Sequence, residues 1–113
     1  MNYALADNNE FIKRLKEIVF KNLDNEKFGV EELVNETGMT PSIVRRRLKN
    51  ISGKNINQFI NEVRLQHALD MLQQSEITAS EVAFQTGFSS PAYFNTSFHR
   101  HFGFPPGEAR KRF

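Results

Sequence analysis

There is no cysteine anywhere in the chain. Disulfides and thiolate metal sites are therefore excluded, and the absence fits a reducing cytoplasm. No apolar run approaches the about 18 residues that a membrane-spanning helix needs. The opening residues, Met1-Asn2-Tyr3-Ala4-Leu5-Ala6-Asp7, show no basic stretch followed by an apolar one, so no signal peptide is expected. No P-loop, nucleotide-binding glycine fingerprint or nucleophile motif occurs. Histidine is scarce, with three in all. His99 and His101 are two residues apart, roughly 200° around a helix, and cannot share a metal in that form. His67 stands alone and reads as a surface or interface side chain. No catalytic residue, no metal ligand and no cofactor is therefore expected, and the chain is not read as an enzyme.

What is present is the material of one helical domain. The 113 residues suffice for one modest core, and 39% hydrophobic content with 11 phenylalanines is globular. The net charge of +2 is small, but it is unevenly placed. Residues 1–38 hold five Lys and Arg against eight Asp and Glu, net −3, whereas residues 39–113 hold ten against five, net +5. Such asymmetry suits a polyanionic partner for the second part.

The chain is organised around residues 80–103. Val82 and Ala83 give a short helix its apolar face. Gly87 follows, where a chain leaving a helix often needs positive φ. Phe88 drops into the core beneath the turn. Ser90 caps the next helix and Pro91 suits its first position. Phe94 and Phe98, four apart, share one face. This is a helix-turn-helix pattern. A second copy lies upstream. Glu32-Leu33-Val34-Asn35-Glu36-Thr37-Gly38-Met39-Thr40-Pro41 matches Glu81-Val82-Ala83-Phe84-Gln85-Thr86-Gly87-Phe88-Ser89-Ser90-Pro91, with one extra residue in the second turn. Val44 and Leu48 stand where Phe94 and Phe98 stand, and each unit ends on a glycine, Gly53 or Gly103.

Residues 1–9 read as a linker or tail, and 10–113 as the folded domain. Phe11, Ile12, Leu15, Ile18 and Val19 recur at helical spacing. The first helix-turn-helix spans about 30–53 and the second about 79–103. A long helix from about 56 to 74 lies between them. Its apolar residues form two sets. Ile56, Phe59, Ile60 and Val63 are one; Leu65, Ala68, Leu69 and Leu72 are the other, rotated by roughly 200°. Such a helix packs against a different subdomain at each end. The expected fold is all-α: two helix-turn-helix subdomains joined by a connector helix, with about seven helices.

With Val44 and Leu48 facing inward, Ser42, Arg45, Arg46 and Lys49 face outward. Arg47 lies at the edge, where it packs its stem or reaches a phosphate. In the second copy, Ala92, Asn95, Thr96 and His99 face outward, with Arg100 beside them. The expected base-reading residues are Ser42, Arg45, Arg46, Ala92, Asn95 and Thr96. The expected phosphate contacts are Thr40, Arg47, Lys49, Lys54, Ser90, His99 and Arg100, helped by backbone amides at the two helix starts. Arg110, Lys111 and Arg112 near the end are expected to be available for phosphates.

From about residue 28 to 113 the chain resembles the DNA-binding domain of the AraC/XylS family of bacterial transcription regulators. The residues that carry the resemblance are Val63-Arg64-Leu65-Gln66-His67-Ala68-Leu69-Asp70-Met71-Leu72, Ile77-Thr78-Ala79-Ser80-Glu81-Val82-Ala83, Gly87-Phe88-Ser89-Ser90-Pro91-Ala92-Tyr93-Phe94, and Phe98-His99-Arg100-His101-Phe102-Gly103-Phe104-Pro105-Pro106. The resemblance implies double-stranded DNA as the partner, bound as one module on an asymmetric site, with two helices in adjacent major-groove segments. With the composition it fits a cytoplasmic setting and no membrane contact by this chain, and RNA polymerase is a candidate further partner. It also implies a missing N-terminal sensor or effector domain, since relatives often end longer regulators, hybrid two-component sensors included. In many relatives the position of Thr96 carries a long basic side chain, so the second helix is expected to read bases less strongly here. The alternative reading of the same residues is a helical protein-interaction module.

Overall fold

The computed structural model describes the backbone of residues 3–112 and the side chains of 7–110. Seven α-helices and one 3-10 turn make up these residues, with no strand among them: α1 (Tyr3–Lys21), α2 (Val30–Thr37), α3 (Pro41–Ser52), α4 (Ile56–Gln74), α5 (Ala79–Gln85), α6 (Pro91–Phe102), the 3-10 turn Pro106–Glu108, and α7 (Ala109–Arg112). The all-α, two-unit architecture expected from the sequence is the one observed.

One expectation is corrected at the start. Residues 1–9 were read as a linker or tail, because helical apolar spacing begins only at Phe11. Helix α1 instead begins at Tyr3. Asp7, inside the supposed tail, reaches α3 and pairs with Arg47.

Two separate cores explain the connector. Phe11, Leu15, Ile18 and Val19 of α1 join Leu33 and Val34 of α2, Val44 and Leu48 of α3, and Ile56, Phe59, Ile60 and Val63 of α4. The second core gathers Leu65, Ala68 and Leu72 from the other end of α4 with Val82, Ala83, Phe88, Phe94, Phe98, Phe104 and Ala109. The same 19-residue helix therefore serves both cores from opposite faces. Both α2–α3 and α5–α6 are thereby fixed to one rigid rod, and their mutual angle is set by its length and twist. An asparagine capping box starts that rod: the Asn55 side chain accepts from the Gln58 amide at 2.8 Å, and the Gln58 side chain accepts from the Asn55 amide at 2.9 Å.

A second tie links the units away from the cores. Arg64 of α4 donates through Nη2 to the carbonyls of Asn25 at 3.1 Å and Phe28 at 2.8 Å, both in the loop between α1 and α2. Its burial pushes the guanidinium pKa down, with Tyr93 acting in the opposite direction. An arginine stays charged at neutral pH all the same. Beside it, Gly87 stands at φ +86°, close to the Leu23 carbonyl and to the Arg64 guanidinium. The turn of the second unit and the entry loop of the first thus touch at one point.

Candidate nucleic-acid interface

The two outward helices are built alike. Thr40 Oγ1 accepts from the Ile43 amide at 3.3 Å and Pro41 opens α3; Ser90 Oγ accepts from the Tyr93 amide at 3.1 Å and Pro91 opens α6. Both hydroxyls are therefore engaged in capping. Proline removes one first-turn donor and the cap takes another. The amides of Ser42 and Ala92 remain to face an anion at each helix start.

Val44 and Leu48 bury the inner face of α3; Phe94 and Phe98 bury that of α6. Ser42, Arg45, Arg46 and Lys49 are exposed on the outside of α3, and Ala92, Asn95, Thr96, His99 and Arg100 on the outside of α6. The first group lines one depression together with Lys54 and the start of α4. Asn95, Thr96, His99 and Arg100 line another with Pro105. Each half of the expected residue set is thus brought together on one face of its own helix.

The structure separates the basic residues by what holds them. Arg45 and Arg46 make no hydrogen bond or ion pair among the described residues, and both project into solvent. Of the two roles expected for Arg47, packing its stem or reaching a phosphate, the structure displays the packing. Its Nη2 lies 3.1 Å from the Asp7 carboxylate, and its guanidinium sits 4.1 Å from the centre of the Phe11 ring. It fastens α3 to α1. Lys54 pairs with Glu62 of the connector, and Lys49 donates to the Gly53 carbonyl at 3.1 Å. Both remain near the α3 face, but each would have to share or release its partner to reach a phosphate. Arg110 is withdrawn altogether, since it donates to the carbonyls of Ser75 and Ile77 and clamps the exit of α4. The side chains of Lys111 and Arg112 lie outside the described residues.

On α6 the Thr96 hydroxyl donates to the Ala92 carbonyl at 3.1 Å, which leaves its lone pairs and methyl group facing out. Asn95 and Arg100 are exposed and make no hydrogen bond or ion pair among the described residues. The two helices therefore offer unlike chemistry: two free guanidiniums on α3, and an amide, a hydroxyl, a methyl and one arginine on α6.

Sequence reasoning missed Tyr93, Asn57 and Asn61. Tyr93 is 55% exposed although its neighbour Phe94 is buried. Asn57 and Asn61 sit one turn apart on the connector, on the edge between the two reading helices. Their i, i+4 spacing was a signal in the sequence, obscured by the apolar residues around it.

The separation of Arg46 from Arg47 has a direct test. Arg47→Ala should lower stability by about 1 kcal/mol, since a ring contact and an ion pair are lost. It should leave the salt dependence of DNA binding unchanged. Denaturation and salt-titrated binding of the variant would check both, and a flattened salt dependence would return Arg47 to the interface.

Two helix-turn-helix units held at fixed separation on one connector, with their second helices exposed on capped, polar faces, define a DNA-binding domain of the double helix-turn-helix type. Comparisons with known proteins agree. A family model described as "Helix-turn-helix domain" matches residues 33–112. The chain is 31% identical over 104 residues, 92% of its length, to histidine kinase P4 of Formosa agariphila, of which it covers 8%. It is 40% identical over 75 residues, 66% of its length, to the HTH-type transcriptional regulator GlxA of Rhizobium meliloti, of which it covers 23%. It also resembles the crystal structure of the DNA-binding domain of the global transcriptional factor AdpA in complex with a target DNA. There the TM-score is 0.77 and the identity 26%, over 88% of this chain and 89% of that one. The chain belongs to the AraC family of helix-turn-helix transcription regulators. It spans less than a quarter of the length of these two curated relatives.

Proposed function

We propose that this chain is the output domain of a larger bacterial regulator. It binds double-stranded DNA sequence-specifically and places α3 and α6 in adjacent major-groove segments on one face of the duplex. One observation carries the reading: both helices stand on a single connector with their buried sides fixed and their polar sides open. Adjacent groove segments lie about 34 Å apart along the axis. The domain's longest dimension is 42 Å, enough to span them.

On α3, Arg45 and Arg46 donate to guanine O6 and N7 and Ser42 assists; on α6, Ala92 packs on a thymine methyl while Asn95 and Thr96 meet base edges. Lys49, Lys54, His99 and Arg100, with the Ser42 and Ala92 amides, hold phosphates. The role is one of binding rather than catalysis, in the cytoplasm where the DNA lies. A sensor or effector segment elsewhere in the protein supplies the signal, and RNA polymerase is the recipient of the output. The similarity to a histidine kinase supports a two-component setting. The likeness to a DNA-complexed domain weighs against the alternative of a helical protein-interaction module.

Selection from a randomised duplex pool of about 30 base pairs, roughly three helical turns, tests the reading at near-physiological salt. The expected result is an asymmetric consensus with two segments one turn apart, one of them containing guanines. The slope of log affinity against log salt should be about −4 or steeper, since four or more phosphates are neutralised. A single short segment would overturn the two-helix arrangement, and no enrichment with a flat salt response would favour a protein partner.

A further inference from the structure

The faces of α3 and α6 are joined by a continuous cleft along the connector. Asn57 lines the depression in front of α3 and also the cleft between the two units. Tyr93 and Asn61 line that cleft and also the groove beside Ala92, Thr96 and Arg100 of α6. The middle of the molecule therefore presents polar side chains that adjoin the depressions beside both reading helices.

Several of these polar side chains have no partner among the described residues. The side chains of Asn57, Asn61, Ser89 and Tyr93 make no hydrogen bond among the described residues. Gln58, between the two asparagines, is different, because its side chain is spent in the capping box. Beneath them lies Arg64. Two of its bonds go to loop carbonyls, while its Nε is buried without a partner. A partly buried cation raises the potential of a cleft more than a solvated one does, because water screens it less. The one carboxylate lining the cleft, Glu26, is exposed in the entry loop.

Four neutral donors over one partly buried positive charge suit a monoanionic phosphodiester. An anionic phosphate gains more from that charge than a neutral base edge does. From this we infer that the cleft is a third DNA-contact site. It takes a backbone phosphate from the stretch between the two major-groove segments, where the minor groove faces the protein. Asn57 and Asn61 are the principal donors, Ser89 and Tyr93 flank them, and Arg64 supplies the field from below. Such a contact positions the duplex without reading sequence, and it fixes the distance between the two read segments. The inference rests on the two-helix reading above.

The test uses this chain and a duplex carrying its selected consensus, with the phosphates between the two segments replaced singly by uncharged methylphosphonates. For the wild type, one central replacement should weaken binding on the order of tenfold, the effect of losing hydrogen bonds to a charged group. Asn57→Ala combined with Asn61→Ala should weaken binding to the unmodified duplex by a similar factor. The salt slope and the selected consensus should not change, because amides carry no charge and these two hold a backbone phosphate rather than a base. In that variant the critical methylphosphonate should have little further effect. A wild type that needs both segments but is indifferent to every central methylphosphonate would overturn the third site and leave the two-helix reading standing. A variant that still loses tenfold on the critical replacement would overturn the assignment to the two asparagines. A wild type that needs only one segment would overturn both readings. The duplex replacements leave the protein untouched, so that arm decides even if the double variant folds poorly.

Discussion

Gly87→Ala should destabilise the domain by about 3 kcal/mol or more, with a fall in Tm of more than about 10 °C. Two effects add. At φ +86° an L side chain is strained, by about 1–2 kcal/mol. The added Cβ would also stand 2.5 Å from the Leu23 carbonyl oxygen and 2.9 Å from Arg64 Nε. The carbonyl belongs to the backbone of the loop after α1, and the guanidinium is tethered by bonds to Asn25 and Phe28. Neither can swing away as a free side-chain end would, so the overpacking contributes a further about 1–3 kcal/mol. Gly53→Ala is the control. Gly53 has a similar φ of +75°, but a Cβ there meets nothing within 4 Å. It should show the strain alone, about 1–2 kcal/mol. Thermal or denaturant unfolding of the two variants separates the effects, and equal losses would mean that the two units do not interlock at Gly87. Because that contact joins the second turn to the first unit's entry loop, Gly87→Ala should also loosen the preferred spacing between the two DNA segments.

The same contact shows what a sequence discloses and what it hides. The repeat was legible because a helix-turn-helix needs a cap, a glycine exit and apolar residues at fixed offsets, and each of these has a side-chain signature. The two cores were legible because the apolar residues of α4 change face between Val63 and Leu65. Arg64 was named only as part of a family motif. Its partners are carbonyls of Asn25 and Phe28, 39 and 36 residues upstream, and a carbonyl acceptor looks the same at every residue. The partners of Arg47 are hidden for a related reason. It follows Arg45 and Arg46 in a basic run, and only the packing of α1 across α3 brings Phe11 and Asp7, 40 residues away, against it. Arg110 likewise looks like a loose cation in the sequence, and its bonds to the carbonyl of Ser75 at the exit of α4 leave no side-chain signature there. In each case helical periodicity identified the correct face, and a long-range contact decided which cations on it stayed free.

That sorting makes the two halves of the interface unequal, and the inequality can be measured. Arg46 is exposed and unpaired, so its guanidinium meets DNA without first breaking a bond. Arg46→Ala should reduce affinity for the selected site by about 1–3 kcal/mol, roughly tenfold to a hundredfold, and relax preference at one position of one segment. Thr96 is also exposed, but its proton is already given to the Ala92 carbonyl. It offers a base edge only lone pairs and a methyl group, and it carries no charge. Thr96→Ala should therefore change affinity by less than about threefold, within the few tenths of a kcal/mol typical of a surface substitution, and leave the salt slope as it was. The matched residues of two similar helices would then differ because one is a free cation and the other a hydroxyl turned back on its own helix. Both variants should be assayed on the same selected duplex and then re-selected from the random pool. Comparable losses, or a consensus that relaxes in the α6 segment as much as in the α3 segment, would show that α6 reads bases as strongly as α3. The cationic helix would then have no special part in recognition.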